Sequence, residues 1–196
     1  MITNEQVQKN KASFIKICKE NIKRNGIDIL LRRLEISDFF IAPCSTRFHL
    51  NYRGGLCEHS LNVYETLLKL CCVFNIKIDA HIESLTIVSL FHDYCKADFY
   101  KPVMKSVKKG TQWTMEPGYE IDDMLPLGHG EKSLYLISRC IDLTDEEACA
   151  IRWHMGAYDC ACKGGEMAYN AACEKYELVS LLQSADNLST RLLEKN

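Results

Sequence analysis

Apolar residues recur along most of this chain at three- and four-residue spacing, the period of helices lying on a core. Val7, Phe14, Ile17 and Cys18 predict a first helix, capped by Asn4 and running to about Arg24, with Gly26 as its stop. Ile27, Leu30, Leu31 and Leu34 predict a second over Ile27–Ile36. A long connection follows, residues 37–55, carrying Pro43, His49 and the pair Gly54-Gly55. Leu56, Ser60, Val63, Leu67, Leu70 and Phe74 make the stripe of a third helix, about 56–74. Ile82, Leu85, Ser89 and His92 make that of a fourth, about 79–94. The period then changes. Residues 100–108 and 111–116 alternate around Lys109-Gly110, which predicts a small β-hairpin, and 116–128 reads as loop because of Pro117, Gly118 and Pro126. A fifth helix is predicted near 130–141. Thr144-Asp145-Glu146-Glu147 is a capping box opening a sixth, which reaches Trp153 or His154. Residues 156–173 read as irregular, and a last helix is predicted over about 175–193. The expected fold is mainly α: one domain over 1–196, a helical bundle with a small hairpin insertion. Its core spans about 39–190, and the helices of 1–38 pack on it.

Composition adds little to this pattern but excludes some classes. A chain of 196 residues can bury one good core. A net charge of -2 argues against tight, nonspecific binding to a nucleic acid backbone. The 11 cysteines fall mostly at apolar helix positions, Cys18, Cys71, Cys72, Cys140 and Cys149 among them. That usage predicts reduced thiols serving as small hydrophobes in a cytoplasmic protein. Cys160-Ala161-Cys162 is spaced too closely for the usual structural zinc pair. No signal peptide and no membrane span are expected, since no apolar run approaches the roughly 18 residues a span needs.

The candidate chemistry centres on His92-Asp93, at the end of the apolar run from Ile82 to Phe91. Two ionisable side chains buried there are costly unless something pairs with them. A divalent cation suits imidazole and carboxylate together. For the pair alone, a hydrogen-bonded core histidine beside a capping aspartate is the plainer reading. Other ionisable residues at helix ends or on apolar faces shift the balance: His59, His129, His154 and Asp186. Pooled around metal, His59, His92, Asp93 and Asp186 form one site. Asp93 then bridges to a second ion held by His129 and His154. Two ions about 3.5–4 Å apart suit phosphoryl chemistry. Bland alternatives exist for several of these: a core histidine at 59, a helix N-terminus at 129, packing on Trp153 at 154. Asp186 is harder to place without a partner, because it lies mid-helix among Leu182, Ala185 and Leu188. His81 reads as a solvated cap residue and His49 as intermediate. Glu131 reads either as support for His129 or as a favourable acid at a helix start.

The order His59, His92-Asp93, Asp186 resembles that of the HD-domain metal-dependent phosphohydrolases. The local words match as well: Gly54-Gly55-Leu56-Cys57-Glu58-His59-Ser60, His92-Asp93-Tyr94-Cys95-Lys96 and Ala185-Asp186-Asn187-Leu188. The resemblance covers about residues 39–190. His129 and His154 resemble the additional histidines of the two-metal subgroups. The stretch from Ala42-Pro43 through His49 to Gly54-Gly55-Leu56 is similar to the HD domain of bacterial 3′→5′ exoribonucleases. Their OB domain has no counterpart in this sequence, which argues against processive RNA degradation, and the Gly-Tyr-Pro motif of the cyclic-di-GMP branch is absent too. The resemblance implies an HD-type helical fold. It implies one or two divalent transition metal ions (Mn, Fe, Co, Ni or Zn) and hydrolysis of a phosphoester of a nucleotide or short single-stranded oligonucleotide. Asp93 and Lys96 are the expected catalytic residues, and Arg47, Arg53 and Lys101 the expected substrate phosphate contacts. A noncatalytic, nucleotide-binding regulatory HD protein is the alternative. A structural metal protein is a third, but such sites are usually closed and Cys-rich.

Residues 41–55 and 96–128 are expected to form opposite walls of a cleft above the metals. Lys96 and Lys105 would add positive charge, and Tyr52, Tyr100 and Trp113 would stack on a base. The competing expectation is that the hairpin packs away from the metals as a homodimer surface.

Overall fold

Thr3, rather than Asn4, caps the first helix: its hydroxyl accepts from the Gln6 amide at 3.2 Å. The structure is a computed structural model describing residues 2–159 and 167–195. Cys160-Ala161-Cys162 and Gly164-Gly165 lie outside the described residues. Helix α1 (Asn4–Asn21) stops before Arg24 because Ile22 turns extended and is buried. The amides of Lys23 and Arg24 then donate to Glu83 Oε1 at 2.7 and 3.0 Å. Helix α2 covers Ile27–Ile36, as its apolar spacing predicts.

Helices α3 (Gly55–Val73) and α4 (Ile78–Phe91) form the centre of the bundle. Gly55 is required where it stands, since a Cβ there would run into the carbonyl oxygen of Leu50. The 37–55 connection therefore closes tightly onto the first turn of α3. Leu56, Val63 and Leu67 of α3 meet Leu85, Val88 and Phe91 of α4 in the core. Phe14 packs edge-to-face on Phe39, Phe40 and Phe91 at 5.3–5.6 Å between centroids, a favoured geometry for aromatic pairs. This cluster ties α1 and the 37–42 segment to the end of α4, just where His92 begins.

After a tight turn at Tyr94–Lys96 comes the hairpin, strands β1 (Tyr100–Lys109) and β2 (Gln112–Ile121). They pair antiparallel from Tyr100↔Ile121 to Lys109↔Gln112. The second strand thus runs through Pro117 and Gly118, which the sequence marks as loop. A two-stranded sheet has only edge strands, where proline is tolerated.

Helices α5 (His129–Ser138), α6 (Asp145–Trp153), α7 (Met167–Lys175) and α8 (Glu177–Leu188) complete the bundle. Part of the stretch expected to be irregular is therefore helix α7. The expected last helix begins at Glu177, close to its expected start, and ends in a wider π-type turn, Ser189–Leu193. The chain is mainly helical, one domain with one hairpin, and among the described residues no helix is long and apolar enough to cross a membrane.

The Thr144 capping box is present in full: Glu147 N donates to Thr144 Oγ1 at 3.2 Å and Thr144 N to Glu147 Oε2 at 2.8 Å. Thr144→Ala is expected to cost about 1 kcal/mol of stability, read as an earlier midpoint in urea with an unchanged slope.

Candidate metal centre

Three helices deliver histidines with one ring nitrogen already engaged. His92, at the end of α4, has Nδ1 2.8 Å from the Ser89 carbonyl. His154, at the end of α6, has Nδ1 2.7 Å from the Ile151 carbonyl. A carbonyl only accepts, so both Nδ1 atoms carry a proton and both Nε2 atoms face inward. His59, on the buried face of α3, has Nδ1 3.0 and 3.1 Å from the two oxygens of Glu194. This is the arrangement by which outer groups orient metal-binding imidazoles.

The inward atoms converge. His59 Nε2 lies 3.2 Å from His92 Nε2 and 3.3 Å from Asp186 Oδ1. Asp93 divides its oxygens. Oδ2 faces His59 at 3.5 Å, His92 at 3.6 Å and Lys96 Nζ at 2.6 Å. Oδ1 faces His129 Nε2 at 2.6 Å and His154 Nε2 at 3.5 Å. His154 Nε2 is buried and makes no hydrogen bond among the described residues. An orphaned buried ring nitrogen beside two carboxylates is costly by itself and well placed for a cation.

Three overlapping groups could each hold an ion: His59, His92 and Asp93; His92, His154 and Asp186; Asp93, His129 and His154. All six residues that the sequence pools around metal are thus brought together. Their nitrogen and oxygen donors suit a divalent transition ion.

Gly130 lets α5 approach α6, since a Cβ there would strike the Arg152 carbonyl. That approach carries His129 to the centre. Glu131 instead pairs with Arg152 at 2.5 Å. His81 is exposed, as its place near a helix start suggests.

Charge at the centre is set by these contacts. Burial works against the Asp93 carboxylate, but Lys96, His92 and His129 hold its pKa well below the usual range. Burial likewise opposes the Lys96 ammonium, and Asp93 more than offsets it. His92 is pushed down to about 3, chiefly by burial, and stays neutral. Burial would also lower His129, but Cys95 and Asp93 raise it to about 10. His59 is raised as well, burial being outweighed by Cys44, Glu194 and Asp186.

A cation entering here must displace protons from His59 and His129. Metal uptake is therefore expected to release protons and to tighten as pH rises from about 6 to about 9. Titration calorimetry in buffers of different ionisation enthalpy counts those protons. In the ion-free protein the raised His129 contributes stability that is full below about pH 6.5 and lost as pH climbs toward about 10.

Beside the centre opens a cleft of about 470 Å³, lined on one side by Cys44, Ser45, Phe48, His49, Lys96 and Tyr100. The opposite wall differs from the expected one. It is built from Met155 and Tyr158, just after α6, Gln183 and Asn187 of α8, and Thr190 and Arg191 in the turn that follows. Beyond Tyr100 no described hairpin residue lines the cleft, and Trp113 near the hairpin tip is 67% exposed.

Arg47, Arg53 and Lys101 do not line the cleft either. Arg47 lies over the Phe48 ring at 5.0 Å, Arg53 donates to Asn4 Oδ1 at 3.0 Å, and Lys101 pairs with Glu120 at 2.8 Å. Lys105 is likewise on the hairpin beyond Tyr100, and Tyr52 donates to Glu58. Among the described residues, Lys96 and Arg191 are the lysine and arginine that reach the cleft, beside His129.

Two residues of the centre escape the sequence reading. Glu194, which also accepts from Asn62 Nδ2 at 2.9 Å, sits in a stretch that looks like a charged helix end. Its only signal is the i, i+4, i+8 spacing from Asp186 through Thr190. Cys44 lies in a loop, where no periodicity marks an inward position.

No family model, curated protein or solved structure matches the chain. Its chemistry is therefore read from its own side chains.

Proposed function

We propose that the protein is a metal-dependent phosphohydrolase of the HD type, acting on a phosphoester about the size of a mononucleotide. The observation that carries this reading is Asp93, whose two oxygens face two donor groups while Lys96 is paired to one of them. His59, His92, Asp93 and Asp186 would hold one divalent cation; Asp93, His129 and His154 would hold a second. When bound, such an ion supplies Lewis acidity to a phosphate oxygen and lowers the pKa of a water in its shell toward neutrality.

The protein's own part is positioning and charge. Asp93 keeps Lys96 protonated at the cleft floor, where the ammonium can donate to a phosphate oxygen. Phe48, Tyr100 and Tyr158 provide apolar walls for the leaving group and restrict water. Arg191, whose Nη2 donates to the Tyr158 hydroxyl at 3.0 Å, stands near enough to turn toward a second negative group. A cleft of 470 Å³ falls within the range of small-ligand pockets and favours a mononucleotide over an oligonucleotide. The displacement of Arg47, Arg53 and Lys101 points the same way.

The deciding experiment incubates purified, metal-analysed protein with nucleoside mono- and polyphosphates, cyclic dinucleotides and short RNAs, and measures hydrolysis products. Binding without turnover of any of them would favour the regulatory alternative. Lys96→Ala is expected to lower kcat by about 100-fold, the scale of a lost charge-stabilising donor, with metal content by elemental analysis unchanged. Loss of metal in that variant would show that Lys96 acts by shaping Asp93 instead.

A further inference from the structure

We infer that Cys44, His49 and His59 form a further site for a thiophilic cation such as Zn²⁺ or Cd²⁺, at the edge of the centre described above and sharing His59 with it. Their ligand atoms all lie within 4.8 Å of one another. Cys44 Sγ and His49 Nε2 are 3.2 Å apart, and both residues line the cleft, so an ion can reach them. The loop that carries them is closed on itself. Cys44 N donates to the Leu50 carbonyl at 3.0 Å, Ser45 Oγ to the His49 carbonyl at 2.8 Å, and Phe48 N to Ser45 Oγ at 2.9 Å. The two donors are thus held in place before any ion arrives. Among the described residues, Cys44 is the one cysteine in any group of three candidate ligands. Cys95 touches His129 at 3.3 Å but completes no such group.

A thiolate with imidazoles selects softer ions, whereas the carboxylate-rich centre next to it suits harder ones. On binding, the Cys44 S–H bond breaks, its proton passes to the buffer, and a sulfur–metal bond forms. The Lys96 ammonium, 3.5 Å from Sγ, keeps its protons and stabilises the thiolate by donating to it. His59 belongs to this group and also to the group with His92 and Asp93. An ion drawn to Cys44 therefore takes a ligand from the neighbouring centre, and the two sites compete. Inhibition of hydrolysis by excess thiophilic ion rests on the proposed function; the binding itself does not.

The test titrates metal-free, full-length protein with Cd²⁺ alone. Two signals are followed: the ultraviolet thiolate-to-cadmium charge-transfer band and the cadmium NMR shift. The band is expected to saturate in the parent protein and in the Cys95→Ser and Asp186→Asn variants. It should vanish in Cys44→Ser, and His49→Ala should weaken cadmium binding by about tenfold or more. Thermal melts confirm that each variant is folded. Should Cys44→Ser fail to fold, the NMR shift of the parent protein decides, since one thiolate ligand moves it strongly downfield. Cadmium bound without a thiolate signature, or a band that survives in Cys44→Ser or is lost in Cys95→Ser, would overturn the assignment.

Discussion

Asp93→Ala is expected to abolish turnover, by about 1000-fold or more, equivalent to roughly 4 kcal/mol or more of transition-state stabilisation. Asp93 touches five side chains of the centre: His59, His92, Lys96, His129 and His154. Its loss removes a donor from both proposed metal groups, the partner of His129 at 2.6 Å and the partner of Lys96 at 2.6 Å. The variant should also lose metal, seen as a drop in bound ion by elemental analysis. Lys96 would then be an ammonium whose side chain is only 12% exposed and has lost its counterion. That group must find water or give up its proton, a cost that commonly reaches about 3–5 kcal/mol. A gentler substitution, Asp93→Asn, separates the two effects, because it keeps the shape and removes only the charge. If Asp93→Ala matched the parent protein in turnover, the catalytic reading would be wrong.

Arg24→Ala is expected to be the most damaging substitution outside the centre, at about 3–5 kcal/mol in urea unfolding. Arg24 grips Glu147 with both terminal nitrogens, at 2.6 and 3.0 Å, and donates to the Asp142 carbonyl at 2.7 Å. The Glu147 side chain is fully buried. Without the guanidinium its carboxylate would be a buried, largely unpaired charge at the start of α6, the helix that ends at His154. Burial opposes the Glu147 carboxylate, but Arg24 and the Ser84 and Thr144 contacts bring its pKa below the usual value. Such a group contributes stability above its unfolded pKa, about 4.3, and loses it as pH falls through the folded value. The parent protein should accordingly weaken in acid through this pair. The Arg24→Ala variant should show much less of that pH dependence. A change in urea midpoint under about 1 kcal/mol would place the pair among ordinary surface ion pairs instead.

The helices and the six pooled residues were legible because each leaves a physical contradiction in the sequence. An ionisable side chain at the end or on the apolar face of a helix needs a partner, and several such residues can share one. His92, Asp93 and Asp186 announce themselves in this way. Other features carry no such contradiction. Cys44 sits in a loop with no period, and a cysteine there is acceptable in any environment. Glu194 looks like any acid near a helix end. Arg47, Arg53 and Lys101 lie close in sequence to residues of the centre, but closeness in sequence does not fix the direction of a side chain. Lys101 points along the hairpin to Glu120 because cross-strand opposite charges attract at short range. Cys72, at a position expected to be apolar, is exposed, since helix α3 presents it to solvent, while Cys71 beside it is buried.

The pairing of His59 with Glu194 joins residues 135 positions apart. Contacts so distant in sequence require a large loop to close and form late in folding. Synthesis proceeds from residue 59 toward residue 194, so His59, His92, Asp93, His129 and His154 all leave the ribosome before Asp186 and Glu194. A nascent chain would meet cellular ions with an incomplete set of donors and an unbraced His59. Completion of the cluster is thereby tied to the arrival of Asp186 and Glu194, about 130 residues after His59.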